Sequence, residues 1–157
     1  MTLNDRRPPL INFQIGQCRI VVDTTKTELF YTAQPKVTEI CDCSFCSHYE
    51  FSVIAKPVRI YQILAKMGVD LTRYDKEDVE GIWHIGERNK FNNSYLVHYK
   101  IFGQIDKTQN KGAHSNDKGI LVADFFENEE DSFTKYSFIQ ISDEIIEVRI
   151  EIECDRK

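Results

Sequence analysis

Three cysteines and a histidine lie within eight positions of the segment CDCSFCSHYEF, residues 41–51. Their spacing is Cys41-x-Cys43-x-x-Cys46-x-His48. Zinc in proteins is typically held by four tetrahedral sulfur or nitrogen ligands, and closely spaced cysteines are a common way to supply them. The spacing therefore predicts a metal site for zinc, with Cys41, Cys43, Cys46 and His48 as its ligands.

The fourth ligand of this site has an alternative. His48 must turn back from the first turn of a helix to reach the thiolates. Cys154 ends the last predicted strand, so it can lie at the rim of a sheet and supply the fourth sulfur instead. Cys18 falls on the apolar face of an earlier strand and is the weaker choice.

Two interpretations without metal remain open for the same cysteines. Reduced cysteines often pack as small apolar side chains, here where helices meet a sheet. Cys43 and Cys46 also form a C-x-x-C pair, which is typical of thiol redox chemistry. The rest of the chain lacks the βαβ units of a thioredoxin-like fold, so the sequence alone does not decide between the three interpretations.

Two short helices are predicted after the first cysteines, over about residues 44–54 and 57–67. In the first, apolar residues recur every four positions, which places them on one side. Pro57 suits the first turn of the second helix, and Gly68 suits the left-handed residue that ends it.

The rest of the chain has the alternating pattern of β-strands, clearest in the last segment, where every second residue from Ile146 to Cys154 is apolar. One buried and one wet face favour an antiparallel sheet. The predicted fold class is a β-rich α+β protein, an antiparallel sandwich or partly open barrel of about seven or eight strands. Strands are predicted at 11–15, 18–22, 27–33, 81–87, 94–105, 119–126, 133–141 and 144–154.

The 157 residues are predicted to form a single domain. Residues 1–9 are expected to be poorly ordered, and the polar segment 106–118 is expected to be a mobile loop.

A resemblance extends from the cysteines into the second helix. The run Cys41-x-Cys43-x-x-Cys46, the helix opened by Pro57 and the tripeptide Gly68-Val69-Asp70 look like a group of uncharacterised bacterial proteins that share these features. The likeness covers about 30 residues, roughly a fifth of the chain. It implies a small bacterial cytoplasmic protein, and it implies no activity.

Composition narrows the classes of partner. The net charge is -5 and no basic run stands out, which disfavours nucleic acid. No apolar segment has the length of a membrane span, and the N-terminus lacks the apolar stretch of a signal peptide, so the cytoplasm is predicted. Adjacent aromatic pairs, Phe30-Tyr31 and Phe125-Phe126, place a ring on each side of a predicted strand and suggest a protein partner or a homo-oligomer.

These observations predict a non-enzymatic binding or accessory module with one structural zinc ion, because no catalytic motif is found. The competing hypothesis is a metal- or thiol-dependent enzyme centred on Cys41, Cys43 and Cys46. In that case His48 or His84 would transfer protons beside the metal.

Overall fold

The structure, a computed structural model, describes residues 10–77, 82–84, 93–106, 113–129 and 132–154. Three sequence predictions fall wholly or partly outside these ranges. They are the poorly ordered segment 1–9, both ends of the strand predicted at 81–87, and residues 107–112 of the predicted loop.

Strands dominate the described part of the chain, and the helices cluster before the third strand. The elements are β1 (Ile11–Ile15), β2 (Cys18–Val22), α1 (Thr24–Thr32), α2 (Val37–Ile40), α3 (Ser44–His48), a π-helix (Tyr49–Val53), α4 (Arg59–Lys66), β3 (Trp83–His84), β4 (Asn93–Ile105), β5 (Ala113–Ser115), β6 (Leu121–Asn128), β7 (Ser132–Gln140) and β8 (Ile145–Cys154).

The strands form one antiparallel sheet in the order β1-β2-β4-β8-β7-β6-β5, and β3 pairs with β4 beside this path. The sheet curls strongly into a half-barrel. The predicted β-rich α+β class is therefore confirmed, in its partly open barrel form. Gly16, with φ of 57°, makes the two-residue turn between β1 and β2.

The core lies on the concave face of this sheet. Alternate residues of β8 from Ile146 to Cys154 have no exposed surface, as their pattern predicts. They stand opposite the buried residues of the long central strand β4, where Tyr95 pairs with Ile152 and Tyr99 with Val148. Burying these rows of large side chains is the main force that favours the curled sheet.

The predicted strand at 27–33 is wrong, because residues 24–32 form helix α1. The side chain of Asp23 accepts a hydrogen bond from the backbone N–H of Lys26 at 2.9 Å, which caps the first turn. Thr27 and Tyr31, one helical turn apart, are the buried residues of this helix. The N-cap and the four-residue spacing of the buried side chains therefore favour a helix, although the composition of the segment resembles that of a strand.

This correction also changes one of the two aromatic pairs. Phe30 and Tyr31 lie on a helix, so they do not mark the two faces of a strand. Phe125 and Phe126 do lie on strand β6. Phe125 stacks on Tyr136 with ring centroids 5.3 Å apart, whereas Phe126 is exposed.

The predicted helical pair after the cysteines is confirmed. The first helix consists of α3 followed by the π-helix, and the second is α4. Gly68 follows α4 with φ of 101°, as expected for a left-handed cap. Within the described residues, no helix has the length and apolar character needed to cross a lipid bilayer.

Among the described residues, no strand pairs with the middle of β4 on one of its edges, since β2 pairs only near its end and β3 only near its start. Helix α1 covers part of this edge with hydroxyl groups. The Tyr31 hydroxyl accepts from the backbone N–H of Lys100 and donates to its carbonyl, both at 2.8 Å. Thr27 Oγ1 accepts from the N–H of Phe102 at 3.1 Å. The Tyr74 hydroxyl accepts from the N–H of His98 at 3.4 Å. The hydroxyl groups of Thr27, Tyr31 and Tyr74 that contact this edge are called the hydroxyl edge below.

Part of the segment predicted as a loop, 106–118, is a strand. Residues Ala113–Ser115 form β5, which pairs with β6. The turn that joins them is closed by Asn116, whose side chain accepts from the N–H groups of Lys118 and Ile120 at 2.9 and 3.0 Å. Polar composition therefore marks a hairpin here, because the Asn116 side chain supplies the turn with hydrogen bonds.

Candidate metal centre

The three cysteines of the motif meet at one place. The Sγ atoms of Cys41, Cys43 and Cys46 all lie within 4.8 Å of one another. Within the described residues, this is the group of three or more potential ligand side chains close enough to share an ion. These three residues are called the cysteine centre.

Short helices on each side of a turn bring the sulfur atoms together. Cys41 ends α2, and its N–H donates to the carbonyl of Val37 at 3.1 Å. Cys43 is the N-cap of α3, and its Sγ accepts the N–H of Cys46 at 3.4 Å. The C-x-C step thus spans the turn, and the C-x-x-C step spans the first turn of a helix.

Glu50 fastens the two sides of this turn to each other. It lies in the π-helix and is 8% exposed. Its carboxylate accepts from the backbone N–H of Thr38 at 3.1 Å and from the Thr38 hydroxyl at 3.2 Å. Because Thr38 lies in α2, this contact fixes α2 relative to the helix that carries Cys46. The sequence contained no signal for this residue, since twelve positions separate the two partners.

A chain of buried tyrosines anchors the π-helix to the sheet. Tyr61 donates to the Tyr49 hydroxyl at 3.2 Å, and the hydroxyls of Tyr49 and Tyr99 are 2.7 Å apart. Tyr99 donates to the carbonyl of Leu71 at 2.8 Å. Burial, followed by the charges of its tyrosine neighbours, raises the pKa of Tyr49 well above 10.0, so the Tyr49 hydroxyl remains protonated and neutral. The π-helix that follows Cys46 is therefore hydrogen-bonded to the sheet through Tyr49 and Tyr99.

Exposure differs across the centre. Cys46 is 8% exposed, Cys41 is partly buried and Cys43 is exposed. The N–H of Cys46, then the Cys41 side chain, lower the pKa of the Cys43 thiol from 9.0 to about 7. Burial, followed by the neighbouring thiols, raises the pKa of Cys46. The exposed sulfur is thus the one that ionises most easily, and a thiolate is the form that binds metal.

His48 lies beside the centre but is not a member of the close group. Its Nδ1 is 2.6 Å from the hydroxyl of Tyr95, and the two ring centroids are 5.7 Å apart. Residues two apart on a helix, such as Cys46 and His48, do not share a face. Coordination by His48 stays a prediction, and its Nδ1 already contacts the Tyr95 hydroxyl.

Cys154, the alternative fourth ligand, is fully buried at the end of β8. It is close enough to Tyr61 on α4 to raise the pKa of that hydroxyl, after the larger effect of burial. It is not in the close group either, and its coordination also stays a prediction.

Phe45, which lies between Cys43 and Cys46, contacts a residue of strand β3. The rings of Phe45 and His84 stack with centroids 3.8 Å apart and an angle of 10° between their planes. His84 in turn meets the edge of Tyr95 at 5.1 Å. Since Phe45 directly precedes Cys46, His84 is held near the centre through this ring. The sequence singled out His84, but nothing in it indicated that its partner is Phe45.

Comparisons of the chain with protein-family models, with curated protein sequences and with solved structures found no match.

Proposed function

We propose that this protein is a non-enzymatic binding module stabilised by one zinc ion, which Cys41, Cys43 and Cys46 hold. The observation that carries the proposal is the mutual distance of the three Sγ atoms, all within 4.8 Å. Tetrahedral zinc with bonds of about 2.3 Å holds its sulfur ligands about 3.8 Å apart. Small side-chain rotations close the difference. Thiolates are soft ligands, which favour zinc over hard cations such as magnesium and calcium.

A structural role is supported by the elements that the metal would join. Helix α2 has four residues and α3 has five, and helices this short are unstable on their own. A metal bound to Cys41, at the end of α2, and to Cys43 and Cys46, at the start of α3, would cross-link the two helices. Its binding energy then becomes folding energy.

The fourth ligand remains open between the two predicted residues. His48 would offer Nε2 while Tyr95 holds Nδ1, an arrangement typical of metal-bound histidines. Cys154 would have to approach from the end of β8. None of the five cysteines forms a disulfide in the structure.

The test is elemental analysis of protein purified without added metal, together with its melting temperature before and after chelation. We expect about one zinc ion per chain, and a lower melting temperature once it is removed. Cys41→Ser, Cys43→Ser and Cys46→Ser should each lose most of the zinc. Cys18→Ala, which removes a buried thiol of β2, is the matched control and should keep it.

Two results decide the proposal and the fourth ligand. Zinc below a tenth of an equivalent in the purified protein, with all thiols freely titratable after unfolding, would rule out the metal. If zinc is present, loss of binding in His48→Ala but not in Cys154→Ala assigns the histidine, and the reverse assigns the cysteine.

The enzyme hypothesis differs in one measurable property. A catalytic zinc keeps one coordination position for water or substrate, whereas a structural zinc has four protein ligands. Cobalt in place of zinc reports this, since its visible spectrum depends on its ligands. An unchanged spectrum on adding azide supports the structural site, and a shifted spectrum supports an open, catalytic one.

A further inference from the structure

The cysteine centre combines an accessible sulfur with a shielded one. Cys43 is exposed, whereas Cys46 is 8% exposed. The Sγ of Cys43 lies over the first turn of α3, 3.4 Å from the N–H of Cys46. A reagent from solvent therefore reaches Cys43 first, and the Sγ of Cys46 lies within 4.8 Å of the Sγ of Cys43.

The backbone between Cys43 and Cys46 suits a disulfide better than the backbone between Cys41 and Cys43. Cys43 is the N-cap of α3, and its side chain folds back over the first turn toward Cys46, which brings the two Sγ atoms within 4.8 Å of each other. The approach requires only a small change in α3, a helix of five residues. In extended chain, by contrast, residues two apart have Cα atoms about 6.6 Å apart, near the upper limit for a disulfide. Cys41 itself is extended, with φ of -146° and ψ of 124°.

We propose that the cysteine centre is a redox-controlled metal site, in which a small-molecule disulfide oxidises Cys43 and Cys46 to a disulfide and thereby releases the metal. The inference rests on the proposed zinc site and adds its regulation.

The chemistry is two successive thiol–disulfide exchanges. The Cys43 thiolate attacks one sulfur of the reagent RSSR, the S–S bond breaks, and RS⁻ leaves with the bonding electron pair. The Cys46 thiolate then attacks Cys43 Sγ, the mixed disulfide breaks, and a second RS⁻ leaves. Two protein thiols are oxidised and one RSSR is reduced to two RSH. The zinc keeps its charge and dissociates, because only Cys41 of the centre is still a thiolate.

The experiment uses the full chain loaded with zinc and exposed to glutathione disulfide. Released zinc is followed with a chromogenic chelator, and the cysteines are mapped by peptide mass spectrometry. We expect about one zinc ion released per disulfide formed, with the bridge between Cys43 and Cys46. Reduction with dithiothreitol should restore zinc binding. The control Cys18→Ala should release zinc at the same rate.

A metal-free arm separates the exchange from the metal. In metal-free Cys46→Ser, glutathione should accumulate on Cys43, because the resolving thiol is missing. In metal-free Cys43→Ser, glutathione incorporation should be about tenfold slower or more, since the accessible thiol is gone. If the bridge mapped in the unchanged chain joins Cys41 and Cys43 instead, the assignment of the pair is overturned.

The possible failures are distinguishable. Zinc-loaded protein that keeps its metal in glutathione disulfide, with Cys43 unmodified, overturns this inference and leaves the zinc site intact. Reduced protein that binds no zinc overturns the proposed function, and the redox-controlled metal site with it.

Discussion

The cysteine centre and the hydroxyl edge of β4 are both polar clusters beside the same sheet, but they are built in opposite ways. The centre comes from six consecutive residues, 41–46, and its three sulfurs lie close enough to share a metal ion. The hydroxyl edge joins Tyr31 to Lys100, 69 positions apart, and the Tyr31 hydroxyl satisfies both the N–H and the carbonyl of Lys100. A local cluster of metal-binding side chains is suited to bind a ligand, whereas a long-range cluster of paired hydroxyl and backbone groups is suited to hold a fold.

The substitution Tyr31→Phe tests whether the hydroxyl edge stabilises the fold, and it should have the largest effect. The change leaves the N–H and the carbonyl of Lys100 without the hydroxyl that contacts both at 2.8 Å. An unsatisfied buried group costs about 1–3 kcal/mol, and these two groups are partly buried, so the free energy of unfolding should fall by about 2–3 kcal/mol. Urea denaturation measures this fall.

The matched control is Tyr136→Phe, which removes a hydroxyl that donates to the partly exposed Glu127 at 3.3 Å. Its loss should be smaller, because no backbone group of a strand depends on it. Equal losses in the two variants would show that the hydroxyl edge has no special role in stability.

The comparison also explains what the sequence could predict. The alternation from Ile146 to Cys154 and the spacing of the three cysteines are local patterns. The structure buries the first as predicted and brings the three cysteines together, while the metal and its fourth ligand stay predictions. The segment 27–33 misled because its apolar residues suit a strand, while the cap at Asp23 and the contacts of Thr27 and Tyr31 with β4 favour a helix. The hydroxyl edge depends on pairings that only the folded chain creates.

The cysteine centre is only partly local, and Glu50→Ala tests the part that is not. Glu50 holds α2 through the N–H and hydroxyl of Thr38, so removing it frees one side of the turn that carries Cys41. Loss of a residue that orients metal ligands typically costs about 10- to 100-fold in affinity. Competition with a zinc chelator measures the change.

The control for this variant is Glu39→Ala. Glu39 also lies in α2, but its carboxylate accepts from the N–H of Lys36, the N-cap of the same helix, at 2.8 Å. Its zinc affinity should stay within about threefold of the unchanged protein, the range expected for a surface substitution. If Glu39→Ala and Glu50→Ala lower the affinity for zinc equally, the link between α2 and the π-helix is not what positions the ligands.

The smallest expected effect separates the two clusters by their ionisation. Burial raises the pKa of Tyr99, beside the hydroxyl edge, well above 10.0, whereas the N–H of Cys46 lowers the pKa of exposed Cys43 to about 7. In metal-free protein, alkylation of Cys43 by iodoacetamide should therefore rise with pH around a midpoint near 7, because the thiolate is the reactive form. Cys46, with its raised pKa, should stay unreactive over the same range.

Unfolding in urea removes both environments, so the Cys43 midpoint should then move up to about 8.5. A folded midpoint that already lies there would mean that the first turn of α3 gives Cys43 no help in ionising. Zinc would then have to displace the thiol protons on binding. The affinity of the cysteine centre for zinc would therefore fall more steeply as the pH is lowered toward 7.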